Sequence, residues 1–265
     1  MKKINLFISS KKKSWRIKKK VEPIIHAYGY QFSMVYSPDA CINMVIGGDG
    51  TFLAAVQESS FSPLPFLGIN TGHLGFFQTI DEDSLEYFLK RFFQEDYYID
   101  SLRLLQADIL TSSWNYRKYA VNEFYLTCTD FKVLQTNVMI DGVPLINQAA
   151  DGIMVATPQG STAHNLSAGG SILYQTLDGF HMKAISPIRS KSYDSLPSSL
   201  VIPSSSILKL SIHQKDQDRI LLLVDGLKEK FYGVKEVHIT NSNHYVQRIV
   251  FDKNWYWLNL KDKFL

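Results

Sequence analysis

The stretch VIGGDGTFLAAV, from Val45 to Val56, sets a single carboxylate among glycines between two apolar runs. The run that begins at Ile42 and ends at Ile46 predicts a buried β-strand, and the run that follows Thr51 predicts a helix. Glycines between a strand and a helix can adopt left-handed backbone angles and let a ligand approach closely. The N–H groups of such a turn, at the start of a helix, favour an anion. The stretch therefore predicts an α/β unit with a phosphate-binding turn, formed by Gly47, Gly48, Gly50 and Thr51.

Asp49 is the charged residue of this turn. A carboxylate repels a phosphate, so we interpret Asp49 as the base that accepts the proton of a hydroxyl group attacking phosphorus, with Mg²⁺ offsetting the phosphate charge. The alternative is a structural turn in which Asp49 caps the following helix. The turn itself leaves both interpretations open. It matches neither the dinucleotide fingerprint GxGxxG nor the Walker phosphate loop.

Residues 1–100 alternate short apolar strands with helices, which predicts a mostly parallel, doubly wound, Rossmann-like α/β domain. Strands are predicted at Ile4–Ile8, Ile42–Ile46 and Pro65–Ile69. An amphipathic helix follows them, and a pair at its start resembles a capping box, although the usual first residue of that motif is Ser or Thr. Its apolar stripe consists of Leu85, Phe88, Leu89, Phe92 and Phe93, and its capping pair of Asp83 and Glu86. Ligands bind such sheets at the carboxyl ends of the strands, where both glycine clusters of this domain lie.

Residues 101–240 change to β-rich runs separated by turn residues, which predicts an all-β, sandwich-like second domain. Asp141-Gly142 and Asp225-Gly226 are strong signals of hairpin turns. The aromatic-rich residues 241–265 are predicted to pack back on the first domain. We expect Trp255, Tyr256 and Trp257 to belong to that packing rather than to stack on a base.

Composition excludes several classes of protein. No apolar run approaches the roughly 20 residues of a membrane helix, and two cysteines without paired spacing indicate a reducing, cytoplasmic location. Nine of the 28 basic residues lie within residues 1–20, which contain no acidic residue. This cluster could attract phosphates, but a solvent-facing helix surface is the favoured interpretation. That helix is predicted to start late or kink at Pro23, with an inward face of Trp15, Ile17, Val21, Ile24 and Ile25. The rest of the chain is acidic, which argues against nucleic-acid binding.

A second, longer motif decides between these interpretations. DGIMVATPQGSTAHNLSAGG, residues 151–170, again places a glycine-rich polar loop after a strand, a composition that suits a loop around a polar ligand. Together with GGDGT at residues 47–51, GINTGHLGFF at 68–77, YAVNEFYL at 119–126 and LLLVDGLK at 221–228, this motif resembles the NAD kinases over nearly the whole chain. GGDGT is shared with phosphofructokinases and lipid kinases, whereas the long motif is far more specific.

The resemblance implies transfer of a phosphoryl group from ATP, with Mg²⁺ or another divalent cation, to the 2′-hydroxyl of the adenosine ribose of NAD. Asp49 matches the family's proton acceptor, Asn122 and Glu123 the pair that holds adenosine, and Asp151 a position at the nicotinamide end. The resemblance also implies a homodimer or homotetramer whose site is shared between subunits. It implies no protein metal ligands. The substrate-binding positions that it implies are Gly50, Phe76, Asn122, Glu123, Asp151, Gln159, Thr162, Ala163, His164, Asn165, Leu166, Ser167 and Ser186.

Some positions depart from the family pattern. His164 stands where the family usually has tyrosine, and Ala149 where relatives often carry a basic residue. Gly226 falls near a further ligand position, and His73 is open to either a phosphate contact or a turn-stabilising role. Two alternatives therefore remain: a kinase of another hydroxylated substrate, such as a sugar phosphate or a lipid, and a non-catalytic nucleotide-binding regulator.

Overall fold

The computed structural model describes residues 1–72, 75–191 and 193–264. The chain divides into two compact units, the first of Met1–Leu102 with Tyr245–Leu265 and the second of Arg103–His244. The helices are α1 (Lys12–Ala27), α2 (Asp49–Glu58), α3 (Leu85–Phe93), α4 (His164–Ser167) and α5 (Trp255–Phe264). The strands are β1 (Lys2–Ile8), β2 (Tyr30–Ser33), β3 (Asn43–Gly47), β4 (Phe66–Asn70), β5 (Tyr98–Thr111), β6 (Asn115–Ala120), β7 (Glu123–Cys128), β8 (Leu134–Ile140), β9 (Val143–Ala150), β10 (Gly152–Ala156), β11 (Gly179–Ile185), β12 (Arg189–Ser190), β13 (Tyr193–Asp194), β14 (Leu200–Pro203), β15 (Leu208–Ile212), β16 (Ile220–Val224), β17 (Leu227–Phe231) and β18 (Val234–Val250).

The first unit is built on a parallel sheet. Its strands are ordered β2-β1-β3-β4, and β4 also pairs with the end of β18 at Arg248. Every residue of β3 and of β4 is buried, as expected of central strands that are covered on both faces. The apolar core includes Ile4, Met44, Ile69 and Leu89. The predicted α/β, Rossmann-like domain is confirmed.

Local expectations in this unit were partly wrong. Helix α1 begins at Lys12 and continues through Pro23, because proline removes a single helical N–H while the buried face of Ile17, Val21 and Ile25 stays intact. Trp15 is exposed, since the inward position on that face is taken by Ser14. The residue before α3 is Ser84, whose N–H donates to the Asp81 carboxylate, so the capping box is absent.

The second unit is built mainly on two antiparallel sheets, and β12 and β13 pair as a short ribbon apart from them. One is ordered β14-β11-β10-β7-β16-β17, and the other contains β9-β8-β15 and the first part of β18. A single apolar cluster draws residues from both, among them Phe124, Val155, Leu210 and Ile239. This is the predicted sandwich-like arrangement.

Both Asp-Gly hairpins are confirmed. Asp141 and Gly142 have φ of 50° and 80° between the paired residues Ile140 and Val143, and Asp225 and Gly226 have φ of 49° and 85° between β16 and β17. Two successive left-handed residues are the conformation that a tight hairpin of this kind requires. Within the described residues, no helix combines the length and the apolar character that crossing a membrane demands.

Candidate active site

The glycine-rich turn connects β3 directly to α2, and Asp49 is the first residue of that helix. The left-handed angles expected at its glycines are absent, because Gly47, Gly48 and Gly50 all have φ outside that region. At Gly47, glycine is required because there is no room for a side chain. A Cβ on Gly47 would lie 2.3 Å from the Thr51 hydroxyl oxygen, whereas one on Gly48 or Gly50 would meet no atom within 4 Å. The turn therefore presents an open surface beside Asp49.

The carboxylate of Asp49 is held by the turn that follows β4. The backbone N–H of Phe76 donates to Asp49 Oδ2 at 2.9 Å, and that of Phe77 donates to Oδ1 at 3.0 Å. Gly75 makes this approach possible, since a Cβ there would lie 2.0 Å from Oδ1. Helix α2 receives no hydrogen bond from a capping side chain, so the interpretation of Asp49 as a helix cap is wrong. The carboxylate is fixed in orientation yet remains 29% exposed.

A fully buried arginine supports the turn that binds Asp49. Arg248 donates to the carbonyl of Phe76 and pairs with the carboxylate of Asp100. Its guanidinium also lies 4.2 Å from the ring centroid of Trp255. Burial lowers the pKa of Arg248, and the Asp100 carboxylate opposes that shift. The sequence offered no sign of this role, because the hydrogen-bond partners of Arg248 lie about 150 positions or more from it along the chain.

Helix α5 packs on the same turn. Asn259 Nδ2 donates to the carbonyl of Gly75 at 2.9 Å, and Trp255 and Tyr256 bury the ring of Phe76. The predicted packing role is therefore confirmed for Trp255 and Tyr256, while Trp257 is 52% exposed. Phe76 itself is only 4% exposed, so its ring contributes to the support of the site from within.

In the second unit, Asn122 and Glu123 are positioned by Asp225. The Asp225 carboxylate accepts the backbone N–H groups of Val121, Asn122 and Glu123, at 2.9, 2.7 and 3.2 Å. The Asp225-Gly226 turn thus has a second role beyond closing its hairpin. Sequence reasoning missed it, because the bonded segments are more than 100 positions apart.

Asn122 and Glu123 carry buried polar atoms that lack partners. Among the described residues, Asn122 Oδ1 and Glu123 Oε2 make no hydrogen bond, although the two side chains are only 6% and 7% exposed. Burial raises the pKa of the Glu123 carboxyl to about 8, with a smaller contribution from Asp225. Unsatisfied buried polar atoms are costly, so this pair is suited to groups supplied by a ligand.

The loop of residues 157–170 is built onto the Asn122 segment. Thr157 Oγ1 donates to the carbonyl of Val121 at 2.7 Å, and Gln159 Nε2 donates to the carbonyls of Arg103 and Val121. Gly160 packs so closely that a Cβ there would lie 2.1 Å from the carbonyl oxygen of Asn122. The amide protons of Gln159 are thus used within the protein. The two motifs form one structural unit.

Strand register places two polar side chains, those of Glu123 and His181, on the sheet face opposite the apolar core. Glu123 lies opposite Ala156, which in turn lies opposite His181. The neighbouring row of Phe124, Val155 and Met182 belongs to the core. His181 is fully buried, and burial lowers its pKa, which favours the neutral ring.

The remaining predicted positions differ in exposure. Thr162 and Asn165 are buried, Ala163 and Leu166 are half-buried, and Asp151, His164, Ser167 and Ser186 are exposed. The His164 ring stands edge-on to the Tyr125 ring, with centroids 5.8 Å apart. His73 lies outside the described residues.

The structure also shows the surroundings of Ala149 and of the basic cluster in residues 1–20. Ala149 is 1% exposed, and its backbone N–H and carbonyl both bond to the Ser195 hydroxyl. In the basic cluster, Lys13, Arg16 and Lys20 all pair with Glu82. That charge is therefore partly neutralised within the first unit.

Comparison with known proteins agrees with this architecture. The chain matches the models of the ATP-NAD kinase N-terminal domain at residues 16–97 and of the ATP-NAD kinase C-terminal domain at residues 121–251. It is 42% identical to the NAD kinase of Finegoldia magna, over 99% of this chain and 97% of that protein. It is 33% identical to an NAD kinase of Clostridium botulinum, over 83% of this chain and 76% of that protein.

Two solved structures share the fold. The yeast NADH kinase complexed with NADH superposes with a TM-score of 0.86 at 19% identity, covering 99% of this chain and 87% of that one. An NAD kinase from Archaeoglobus fulgidus in complex with ATP gives 0.79 at 20% identity, covering 99% and 98%. The fold is thus one shared with solved NADH and NAD kinases. The family models and the curated relatives are specific, and the chain belongs to the NAD kinase family. The predicted resemblance is confirmed, and neither alternative function is favoured.

Proposed function

We propose that this protein transfers the terminal phosphoryl group of ATP to the 2′-hydroxyl of the adenosine ribose of NAD, giving NADP and ADP. The observation that carries the proposal is the Asp49 carboxylate, which two backbone N–H groups hold beside the open surface of Gly48 and Gly50, in a chain of the NAD kinase family. A partly exposed carboxylate of fixed orientation is the arrangement that a general base needs.

Asp49 accepts the proton of the 2′-hydroxyl as its oxygen bonds to phosphorus. At the same time the bond between that phosphorus and the bridging oxygen of ADP breaks, so the electron pair leaves with ADP. Phosphoryl transfer depends mainly on positioning and on stabilising charge. The Gly75–Phe77 turn serves the positioning, because it fixes both carboxylate oxygens.

Asn122 and Glu123 are proposed to hold the adenosine part of NAD. The Asn122 amide oxygen can accept from an adenine amino group, and the Glu123 carboxylate can accept from two ribose hydroxyls. Their unpartnered buried atoms support this assignment. The other predicted positions, Asp151, Thr162, Ala163, His164, Asn165, Leu166, Ser167 and Ser186, are proposed to line the rest of the nucleotide site, and Gln159 and Phe76 to support it.

Mg²⁺ is proposed to enter with ATP. Among the described residues, no three His, Cys, Asp or Glu side chains are grouped so as to hold a metal ion. Mg²⁺ typically keeps water and binds largely through substrate phosphates, so it is proposed to be held by the phosphates of ATP. The ion would offset the negative charge of the phosphates.

Three further properties are part of the proposal. The two compact units are proposed as the functional domains. The protein is proposed to be a homodimer or homotetramer with a shared site, and to be located in the cytoplasm.

A coupled assay tests the proposed function. Purified protein is incubated with NAD, ATP and Mg²⁺, and the product is measured with a dehydrogenase that accepts only NADP. NADP is expected to accumulate, with ADP in equal amount. Bound NAD and ATP without any NADP would contradict the proposal, and a panel of sugar-phosphate and lipid acceptors would then identify the substrate.

Two glycine variants separate ligand space from structural space. Gly50→Ala adds a methyl group to an open position of α2, so the melting temperature is expected to hold or rise, since alanine favours helix over glycine. The KM for ATP is expected to rise about tenfold or more, a loss of about 1.4 kcal/mol or more, because the methyl group occupies ligand space.

Gly75→Ala is the matched variant. Its methyl group would overlap Asp49 Oδ1, so both kcat and stability are expected to fall, the latter by about 1–3 kcal/mol. Thermal unfolding and steady-state kinetics of both variants measure these changes. Unchanged kinetics in Gly50→Ala would show that substrate does not approach this turn.

A further inference from the structure

Helix α5 brings a cation to Asp49. Lys263 Nζ lies 3.9 Å from Asp49 Oδ2 and 4.7 Å from the centroid of the Phe76 ring. The first distance is that of a loose ion pair and is too long for a hydrogen bond. The ammonium group has three N–H donors, and the side chain is 38% exposed. It therefore keeps donors for a group that enters from solvent.

Several contacts of α5 hold the helix that carries this cation in place. Asn259 bonds to the Gly75 carbonyl, and Trp255, Tyr256 and Phe264 pack on the Phe76 ring. The residues that orient Asp49 thus also hold the helix that carries Lys263. The cation and the carboxylate are parts of one assembly within the first unit.

Charge explains why a lysine is useful there. Asp49 is proposed to accept the proton of the attacking hydroxyl group. The phosphorus atom that is transferred must then come within about 3–3.5 Å of the hydroxyl oxygen. Its oxygens would then lie next to a carboxylate that repels them. A lysine ammonium next to that carboxylate can offset the repulsion and donate to a phosphate oxygen.

We propose that Lys263 binds the terminal phosphate of ATP beside Asp49, as a substrate-contacting residue of the active site. This inference rests on the proposed function, because it takes the phosphorus attacked near Asp49 to be that of the donor. NAD also carries phosphates, in its pyrophosphate, but these are not the phosphorus under attack. The proposal therefore assigns Lys263 to ATP and not to NAD.

The test compares Lys263→Gln, Lys263→Arg and the control Lys261→Ala in the full-length protein. Lys261 is exposed on the same last turn of α5. Equilibrium binding of ATP and of NAD is measured by calorimetry, alongside kcat, both KM values and thermal unfolding. Lys263→Gln is expected to lower the affinity for ATP about 10- to 100-fold, because a charge-assisted hydrogen bond is lost. Its affinity for NAD is expected to stay within twofold of that of wild type. Lys263→Arg should retain most ATP affinity, and Lys261→Ala all of it.

Three results would overturn the proposal. They are unchanged ATP binding in Lys263→Gln, loss of NAD affinity instead of ATP affinity, and a fall in melting temperature with parallel losses for both ligands, which would indicate a merely structural role. The binding measurements are independent of turnover. A wild-type protein that binds ATP and NAD but forms no NADP would refute the proposed function while still reporting on Lys263.

Discussion

Replacing Asp49 by asparagine is expected to lower kcat by about 10²–10⁴-fold, the usual cost of removing a positioned base. Asparagine has the same shape, and its amide oxygen can still accept one of the N–H groups of Phe76 and Phe77. It cannot take up a proton. The NH₂ group would face the other N–H, so stability is expected to fall by about 1 kcal/mol. NADP formation, NAD binding by calorimetry and thermal unfolding measure the three effects.

Asp83→Asn is the matched control, because it makes the same chemical change at an exposed carboxylate of the first unit. It should leave kcat unchanged. Turnover of Asp49→Asn within a few-fold of wild type would remove Asp49 from its proposed role as the base. The two backbone hydrogen bonds to Asp49 would then serve only the structure of the turn.

The second large effect is expected from Glu123→Gln. Glutamine keeps the size of the buried side chain but cannot ionise, and its NH₂ group cannot accept a ribose hydroxyl. At about pH 9, where the wild-type carboxyl with its pKa of about 8 is ionised, NAD affinity is expected to fall about 10- to 100-fold, corresponding to one lost charge-assisted interaction. Calorimetric titration with NAD measures this loss. NAD binding equal to that of wild type would contradict the assignment of Glu123 to adenosine.

The Glu123 carboxyl also makes the stability of the wild-type protein depend on pH. Because burial raises the pKa of Glu123 from 4.5 to about 8 in the folded protein, the folded state keeps a proton that the unfolded state releases. The free energy of unfolding of wild type is therefore expected to fall as pH rises from about 4.5 to 8, by up to about 1.4 kcal/mol per unit. Above pH 8 this contribution is constant.

Glu123→Gln lacks this titration, so its stability should exceed that of wild type by a margin that grows over the same pH interval. Urea unfolding of both proteins at pH 5, 6.5 and 8 measures the margin. Glu86→Gln, at an exposed position of α3, should run parallel to wild type. Parallel curves for Glu123→Gln would show that the carboxyl is not desolvated as described.

The sequence predicted the fold well where periodicity is local. Strands β3 and β4 are short apolar runs next to glycine turns, and the two Asp-Gly turns specify their hairpins by backbone conformation alone. Trp15 was misplaced because the first inward position of α1 is Ser14, one residue earlier, while Ile17, Val21 and Ile25 are buried as predicted. Strand β2, with partly polar residues 30–33, gave no such signal.

The candidate site was predictable in its motifs but not in its supports. Asp49, Asn122 and Glu123 were found because they lie in recognisable segments. Arg248, Asn259 and Asp225 were missed, since each acts on a carbonyl or N–H group about 100 positions or more away. Contacts of that kind arise from the tertiary structure and leave no local pattern.

The two backbone bonds to Asp49 also constrain the direction of chemistry. Each carboxylate oxygen has two in-plane lone pairs, and one on each is already taken by Phe76 or Phe77. An incoming sugar must therefore offer its hydrogen along one of the two trajectories that are left. The two neighbouring hydroxyl groups of a ribose hardly differ in acidity. The angle at which the sugar approaches Asp49 would then decide which of them is phosphorylated.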